Sequence, residues 1–359
     1  MRFRQGENLS RKMPHTQKLM RKQVLKITGV TSLLLLCTGR LSAQTDVAQV
    51  AQQIGYLIDD ALFFSDQYVT PATDAAIYQS ASGWITSPKK TELWDVSFGL
   101  HTNVFFTPYR DRNFVIKNSD FTFFKLEQGT SASVPTALGN DNQVYLSGTL
   151  GDSPLRLKTP EGMNMNTVAY PYLQASVGLP FGTELIVKYS TKVKLKKSDY
   201  QVYGIGLKYN FSQYIKSLEA QKIHLAVLAG YGKEDVSFNF LNVQTDYGTL
   251  GINTINGTVD TWQFQLSASQ EFGDLEFMGS FIANVSDVKY KVKGETGTIE
   301  QIIPLQKVLN KRLEEIYKTR TNYIGEMSCK YNIDKFDVQT IVAFGKFVNT
   351  NVSLTYSFK

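Results

Sequence analysis

In one segment after another beyond Glu92, apolar and polar side chains alternate with a period of two. In ELWDVSFGLHTNVFF (92–106), Trp94, Val96, Phe98, Leu100, Val104 and Phe106 take one face, and Asp95, Ser97, Gly99, His101 and Asn103 the other. A run of about 15 residues exceeds the usual globular strand. Leu173, Ala175, Val177 and Leu179 stand against Gln174, Ser176 and Gly178, and Leu185, Val187 and Tyr189 against Lys188. Tyr203, Ile205, Leu207 and Tyr209 oppose Gly204, Gly206 and Lys208, while Trp262, Phe264 and Leu266 oppose Gln263 and Gln265. The last residues repeat the pattern, with Val352, Leu354, Tyr356 and Phe358 against Asn351, Ser353, Thr355 and Ser357. The second face is Gly, Ser, Gln, Asn and Lys, which suits a wet interior better than a dry core. The apolar rows then need hydrocarbon outside, and in lipid every backbone group must be paired within the protein.

These patterns predict an all-β fold, a closed antiparallel transmembrane β-barrel. Ten strands follow, at 92–106, 168–179, 183–195, 199–211, 222–242, 258–271, 275–292, 321–332, 336–345 and 351–359. Bacterial barrels carry even strand numbers, and 113–126 and 143–150 are candidates for more, so about 12–14 strands are expected. Tight turns at 180–182, 272–274 and 333–335 read as periplasmic, and 243–257 and 293–320 as long outer loops. Within 222–242 the apolar residues move from odd positions (Ile223, Leu225, Val227, Tyr231) to even ones (Val236, Phe238, Phe240), as a β-bulge near Gly232 would cause. The lumen-facing candidates are Asp95, His101, Asn103, Gln174, Lys188, Lys208, Gln263 and Gln265. Val352, Leu354, Tyr356 and Phe358 are expected to face lipid. Tyr172, Tyr189, Tyr209, Phe211, Tyr231, Tyr331 and Phe358 fall near strand ends, where interfacial girdles form.

Before Glu92 the period is helical. Val47, Val50, Ile54, Leu57, Ala61 and Phe64 form one stripe, and Pro71 opens a second short helix that stops around Ser82-Gly83-Trp84. An amphipathic helix on a core and a plug inside the barrel both fit residues 44–84. In 298–320, Ile303, Leu305, Val308, Leu309, Leu313 and Ile316 read as an outer-loop helix.

The first 43 residues change the charge argument. From Met20 the chain reads MRKQVLKITGVTSLLLLCTGRLSAQ, a basic start, an apolar Leu33–Leu36 and small Ser42 and Ala43. This is the layout of a signal peptide cleaved near Ala43/Gln44, with Met20 as the true start and 1–19 as an upstream extension. Residues 1–43 hold nine of the 38 Lys and Arg and one of the 32 Asp and Glu, leaving 29 basic and 31 acidic residues beyond them. The basic balance therefore belongs to the leader, and nucleic acid is not an expected partner. Cys329 is the one cysteine beyond the leader, so no internal disulfide is expected.

Candidate chemistry is sparse. Beyond the leader the histidines are His101 and His224, and no cysteine or histidine pair has metal-ligand spacing. No nucleophile elbow, phosphate-cradling loop or zinc-protease helix motif occurs. His101 with Asp95 or Ser97 is the only local set, and along a strand these lie too far apart for contact. No enzymatic activity and no cofactor are expected.

The helical N-terminus ending SGWI (82–85), DVSFGLHTNVFFTP (95–108) and VPTALG (134–139) resemble an uncharacterised family of Gram-negative outer-membrane β-barrels. TPEG (159–162), PYLQASVGLPFGTELIVKY (171–189) and YGIGLKYNFSQYI (203–215) extend the likeness. It is distantly similar to FadL-type long-chain fatty-acid transporters. The resemblance implies a barrel, N-terminal helices as a plug, and passage of a small hydrophobic molecule. Outer-membrane lipid and the insertion machinery that reads an aromatic C-terminal strand are the expected partners. The alternative reading is a structural or adhesive barrel that transports nothing, and the third a secreted β-sandwich.

Overall fold

Ten alternating segments pair in chain order, and the last returns to the first. They are β1 (Val96–Phe106), β2 (Thr167–Leu179), β3 (Thr183–Tyr189), β4 (Ser198–Asn210) and β5 (Ile223–Asn239). β6 (Thr254–Phe272), β7 (Leu275–Lys293), β8 (Lys318–Ile333), β9 (Phe336–Phe344) and β10 (Val348–Phe358) follow. Every neighbouring pair is antiparallel, and β10 closes on β1 from Val96↔Phe358 to Phe105↔Asn349. The computed structural model describes residues 41–195, 198–239, 244–245, 248–249, 252–294 and 304–358. Most of the leader, the end of the strand expected over 222–242, the 298–303 part of the outer-loop helix and Lys359 lie outside the described residues. The chain forms two units, Met1–Gln52 and Gln53–Lys359. In the first, the described part is helical.

The barrel has ten strands, not about 12 to 14. The extra candidates form two small sheets in the β1–β2 connection, one pairing Asn113–Lys117 with Ser131–Pro135, the other joining Lys125–Leu126, Tyr145–Leu150 and Ser153–Lys158. None of these segments is longer than six residues, and a membrane strand needs about 9–11. Their apolar sides instead gather Ile116, Phe121, Phe124, Leu126, Val134, Leu146 and Leu155 into a core of their own.

On the outer wall the alternation is uninterrupted. Phe98, Leu100, Leu207, Val227, Phe264, Leu266, Phe281, Val342 and Leu354 are exposed, and their sequence neighbours face inward. Val352, Leu354 and Phe358 are exposed and Tyr356 half-buried on the same face. Tyr189 packs at a tilt beside Tyr203, and Tyr231 beside Trp262, at the upper edge. Above them the outward row turns charged, at Lys233, Asp235, Asp260, Asp287 and Lys289. Eleven residues of β6, from Trp262 to Phe272, thus mark an apolar band of about 25 Å once strand tilt is included. Tyr172 does not join a girdle. It is buried in the lumen, as the parity of Leu173 requires.

No bulge occurs near Gly232. Register runs unbroken from Ile223↔Gln270 to Asn239↔Thr254 on one side of β5, and through Gly204↔Gly232 on the other. The inward row is even-numbered throughout, and its chemistry changes. Val236 and Phe238 point inward because the upper lumen is filled by protein, and Lys233 and Asp235 point outward because β5 has left the lipid.

α1 (Leu41–Ala81) is one helix in place of the two expected, and its residues beyond Gln52 fill the upper lumen. Pro71 lies inside it. Gln53 Oε1 accepts from Gly151 N–H at the long-loop end (2.7 Å), and the helix descends from there. Residues 72–81, ATDAAIYQSA, are buried all round. Their small side chains suit the bore of a ten-stranded barrel, little wider than the eight strands that side chains alone can fill. Tyr68, Val69, Ala72, Ala76 and Ile77 pack with Phe238, Ile255, Val259, Val288 and Tyr290 of the wall. After Ala81 the chain continues to the short-turn end and enters β1 at Val96. α2 (Lys216–Ala220) lies in the β4–β5 turn and α3 (Leu305–Leu313) in the β7–β8 loop.

Two outcomes follow. Phe264→Lys, mid-belt, should cost about 2–4 kcal/mol of unfolding free energy in vesicles, and Thr258→Lys, above it, at most about 1 kcal/mol. Equal costs would contradict the belt's position. Tyr56→Cys, exposed at the long-loop end, should react with an impermeant maleimide on intact cells. Asp334→Cys, in a short turn, should react only after permeabilisation.

Candidate functional site

The functional question sits where α1 ends. Gly83 takes a left-handed backbone (φ +69) that closes the helix and turns the chain downward. A Cβ there would lie 2.9 Å from the Tyr172 hydroxyl, so conformation and space both require glycine. The peptide group between Ser82 and Gly83 is gripped from two sides. Lys188 Nζ donates to its carbonyl (2.6 Å), and its N–H donates to Glu326 Oε1 (3.0 Å). Lys188 stands on β3 and Glu326 on β8, five strands apart in a ring of ten, hence on opposite walls. Lys188 Nζ also lies 4.3 Å above the Trp84 ring, an attraction that strengthens on desolvation.

Trp84 is buried in a slot made by absent side chains. Cβ atoms built at Gly204, Gly206 and Gly232 would fall 2.6, 2.9 and 3.7 Å from its ring. Its indole N–H donates to Ser80 C=O (2.7 Å). The YGIG stretch of β4 is therefore the receptor for the SGW at the helix end.

Residues 82–91 have no regular structure, so their backbone groups need partners from the wall. Tyr172 O–H donates to Gly83 C=O (3.3 Å), Gln174 Nε2 to Trp84 C=O (3.1 Å) and Gln339 Nε2 to Thr86 C=O (3.0 Å). Lys208 Nζ donates to Ser87 C=O (2.8 Å) and Lys89 C=O (3.2 Å), and Asn210 Nδ2 to Pro88 C=O (2.7 Å). Lys208 is also ion-paired with Glu184, which accepts from Thr91 Oγ1 (2.6 Å). Glu276 accepts from Ser87 Oγ (2.7 Å) and pairs with Lys330 (2.8 Å).

The lumen-facing candidates divide by what they hold. Gln174, Lys188 and Lys208 grip the descending segment, and Asn103 Nδ2 donates to Gln79 C=O (3.3 Å). Gln265 Nε2 donates to Glu326 Oε2 (3.3 Å), and His101 pairs with Asn351 (3.4 Å) and stacks on Tyr172. His101 makes neither the Asp95 nor the Ser97 contact. Gln263 is buried with no hydrogen-bond partner of its own side chain. Asp95 lies apart, half-buried at the lower mouth, where a polar recess of about 420 Å³ is lined by Lys89, Glu92, Asp95, Glu184, Lys208 and Lys330 among others. Glu326, Trp84 and the glycine slot were missed by the alternation argument, because glycine and a lone glutamate look like ordinary lumen residues.

A second feature lies at the outer end. A cavity of about 170 Å³ opens between α1, the β1–β2 lobe and α3, walled by Leu57, Ala61, Phe64, Phe124, Leu155 and Leu309 with other mainly apolar residues. Asp60, buried on α1, accepts three backbone N–H groups, those of Thr122, Phe123 and Phe124 (2.8 Å each). This fixes the lobe on the helix. Around the mouth, Asp59 meets Arg312 (2.6 Å), Asp66 meets Lys318, and Asp74 meets Lys346. α3 packs Leu305 and Leu309 inward, as the 298–320 pattern implied.

Fold and plug define a closed transmembrane β-barrel of the outer-membrane kind. Within that class, the chain belongs to a family of unknown function, DUF6588, which matches residues 20–358. No curated protein matches the chain in sequence. The chain is similar to the translocator domain of the autotransporter NalP from Neisseria meningitidis, at 10% identity over 81% of this chain and 95% of that one, with a TM-score of 0.30. It is also similar to Ail, the attachment invasion locus protein of Yersinia pestis (7%, 74% and 100%, 0.26). The toluene transporter TbuX of Ralstonia pickettii follows (7%, 75% and 90%, 0.20). Likenesses this weak carry no argument, and the barrel stands on its own pairing.

Gly83→Ala combines a left-handed backbone with crowding, whereas Gly273 (φ +65) has nothing within 4 Å of a built Cβ. Gly273→Ala should therefore cost about 1 kcal/mol and Gly83→Ala roughly 2–3 kcal/mol in equilibrium unfolding. Equal losses would place Gly83 away from Tyr172.

Proposed function

We propose that this protein is a plugged outer-membrane barrel that captures a small apolar molecule at its cell-surface face. Passage occurs only when residues 82–91 leave the wall. The observation that carries this reading is the apolar cavity beside α1, set above a lumen that the plug fills. An apolar solute gains by leaving water for such a cavity, and the polar lower lumen gives it no comparable site. The FadL-type resemblance supports the same solute class, and the leader supports export to the outer membrane.

A second reading rests on one observation: α1 belongs to the same apolar cluster as the wall, as a permanent core element would. The barrel would then be a non-transporting surface protein whose lobe and outer loops meet a partner.

Binding and flux separate the two. Reconstituted in nanodiscs, the protein should bind a fluorescent naphthylamine probe above the empty-disc background, and Ala61→Phe, which fills the cavity, should weaken binding about tenfold. In vesicles, the native barrel should seal, and Lys188→Ala with Glu326→Ala should admit small solutes. Absence of saturable binding, together with silence of the double variant, would leave only the second reading.

A further inference from the structure

Two sequence motifs, VPTALG (134–139) and TPEG (159–162), belong to neither the wall nor the clamp. Both lie in the β1–β2 lobe, and they are fastened to each other. Gly162 N–H donates to Asn140 C=O (2.7 Å), Met163 N–H to Ala137 C=O (2.9 Å) and Asn164 N–H to Gly139 C=O (2.7 Å). A Cβ at Gly162 would fall 2.4 Å from Gly139 C=O, so the loops meet this closely only with glycine there. Together they close on one residue of α1. Tyr68 C=O accepts from Ala137 N–H (2.8 Å), and Tyr68 O–H donates to Glu161 C=O (2.6 Å). The contact falls three residues before Pro71, which has no N–H to give the preceding turn.

With Asp60 holding Thr122, Phe123 and Phe124, and Gln53 holding Gly151, directional bonds join lobe and helix at residues 53, 60 and 68 of α1. The other side of the helix is held differently. There α1 meets the upper wall and α3 through apolar contacts and through the ion pairs Asp59–Arg312 and Asp66–Lys318. Those pairs are partly solvated and contribute little. The chain joins the lobe to the barrel at one neck, where Thr107 N–H donates to Asn166 C=O (3.0 Å) beside the pair Phe106↔Thr167. The apolar cavity lies along this seam, with Leu57, Tyr68 and Leu155 on one side and Ile255, Val292 and Leu309 on the other.

We propose that the lobe and the upper part of α1 form one body hinged at the β1–β2 neck, and that the plug leaves by withdrawal of this body toward the cell surface. The inference rests on the plugged-barrel reading and adds to it what moves and in which direction. Bonds inside the body are directional and largely buried, so they persist while apolar surfaces slide along the seam. Outward is the free direction, because inward travel would carry the lobe into a bore that residues 72–81 already fill. Tyr68, gripped by both motifs and lining the cavity, is the positioning residue that carries the movement of the lobe into the helix. A solute in the cavity touches the body and the fixed wall at once, and so bears on the seam that opens.

The test measures spin-label distances in vesicles, in full-length protein carrying Lys188→Ala and Glu326→Ala, with Cys37 and Cys329 replaced by serine. One pair, Tyr56→Cys with Gln128→Cys, lies within the body. The other, Tyr56→Cys with Lys311→Cys, crosses the seam, and all three positions are exposed. With the clamp removed, the crossing distance should lengthen by about 5 Å or more, one helical turn, while the inner distance keeps its native value. A comparable change in the inner distance would mean that α1 moves without the lobe, and the proposal fails. No change in either pair also overturns it. Solute flux in the same vesicles then shows whether the plugged-barrel reading falls too, or whether residues 82–91 clear the lumen alone. Should the double variant not insert, hydrogen exchange in the native protein decides. The Thr122, Phe123 and Phe124 amides should be protected within about threefold of the α1 amides that follow Asp60, as one cooperative unit is. Protection about tenfold weaker in the lobe would separate it from the helix and overturn the proposal.

Discussion

A peptide group buried in a barrel's lumen must have both ends satisfied, and a charge buried there must find an opposite pole. The Ser82–Gly83 peptide answers both needs at once. Its carbonyl meets Lys188 and its N–H meets Glu326, from walls on opposite sides of the ring. Either charge alone would carry a desolvation penalty of several kcal/mol. One peptide dipole lying between them relieves the two together. Only a helix that stops at this height, on a residue able to turn left-handed, can present that peptide across the bore. The length of α1, the glycine at position 83 and the slot for Trp84 all serve this contact.

The lumen is consequently two-layered. Above the clamp an apolar cluster dominates, with Phe238, Ile255, Val259 and Tyr290 meeting the small-residue end of α1. Below it is polar, and side chains of β2–β4 and β9 hold an unstructured segment by its carbonyls. Apolar contact could support a helix that slides. Directional hydrogen bonds to successive carbonyls resist sliding. The ion pairs of Asp59, Asp66 and Asp74 at the mouth are more exposed, and pairs of that kind contribute little. The closed state therefore rests on the lower layer, and the outer cavity touches it only through the helix.

Much of this was legible in the chain. Strict alternation located all ten barrel strands, because a wall with lipid on one side and polar groups on the other leaves a two-residue period. The same logic overcounted. Segments such as Gln143–Leu150 alternate too, and only their shortness, with a small core of their own, keeps them off the wall. The apparent bulge at Gly232 was a true signal wrongly assigned. The parity shift marks the height where β5 leaves lipid and its inner face meets the helix, and period alone cannot tell a slipped register from exchanged environments. Pro71 seemed to start a new helix because a proline usually interrupts one. Here Tyr68 and Val69 before it and Ala72, Ala76 and Ile77 after it pack into one apolar cluster with the wall. The clamp itself was hidden, since nothing local links SGW at 82–84 to YGIG at 203–206 or to Glu326, residues that the fold alone brings together.

Hydrogen exchange at the Gly83 amide, followed in the reconstituted native protein, tests the clamp most directly. Held by Glu326 in the middle of the lumen, this N–H should exchange as slowly as the amides of Leu228 or Ile282 in the wall, although no secondary structure protects it. Exchange at the rate of an exposed loop amide would mean that the peptide is free, and that neither wall holds the plug.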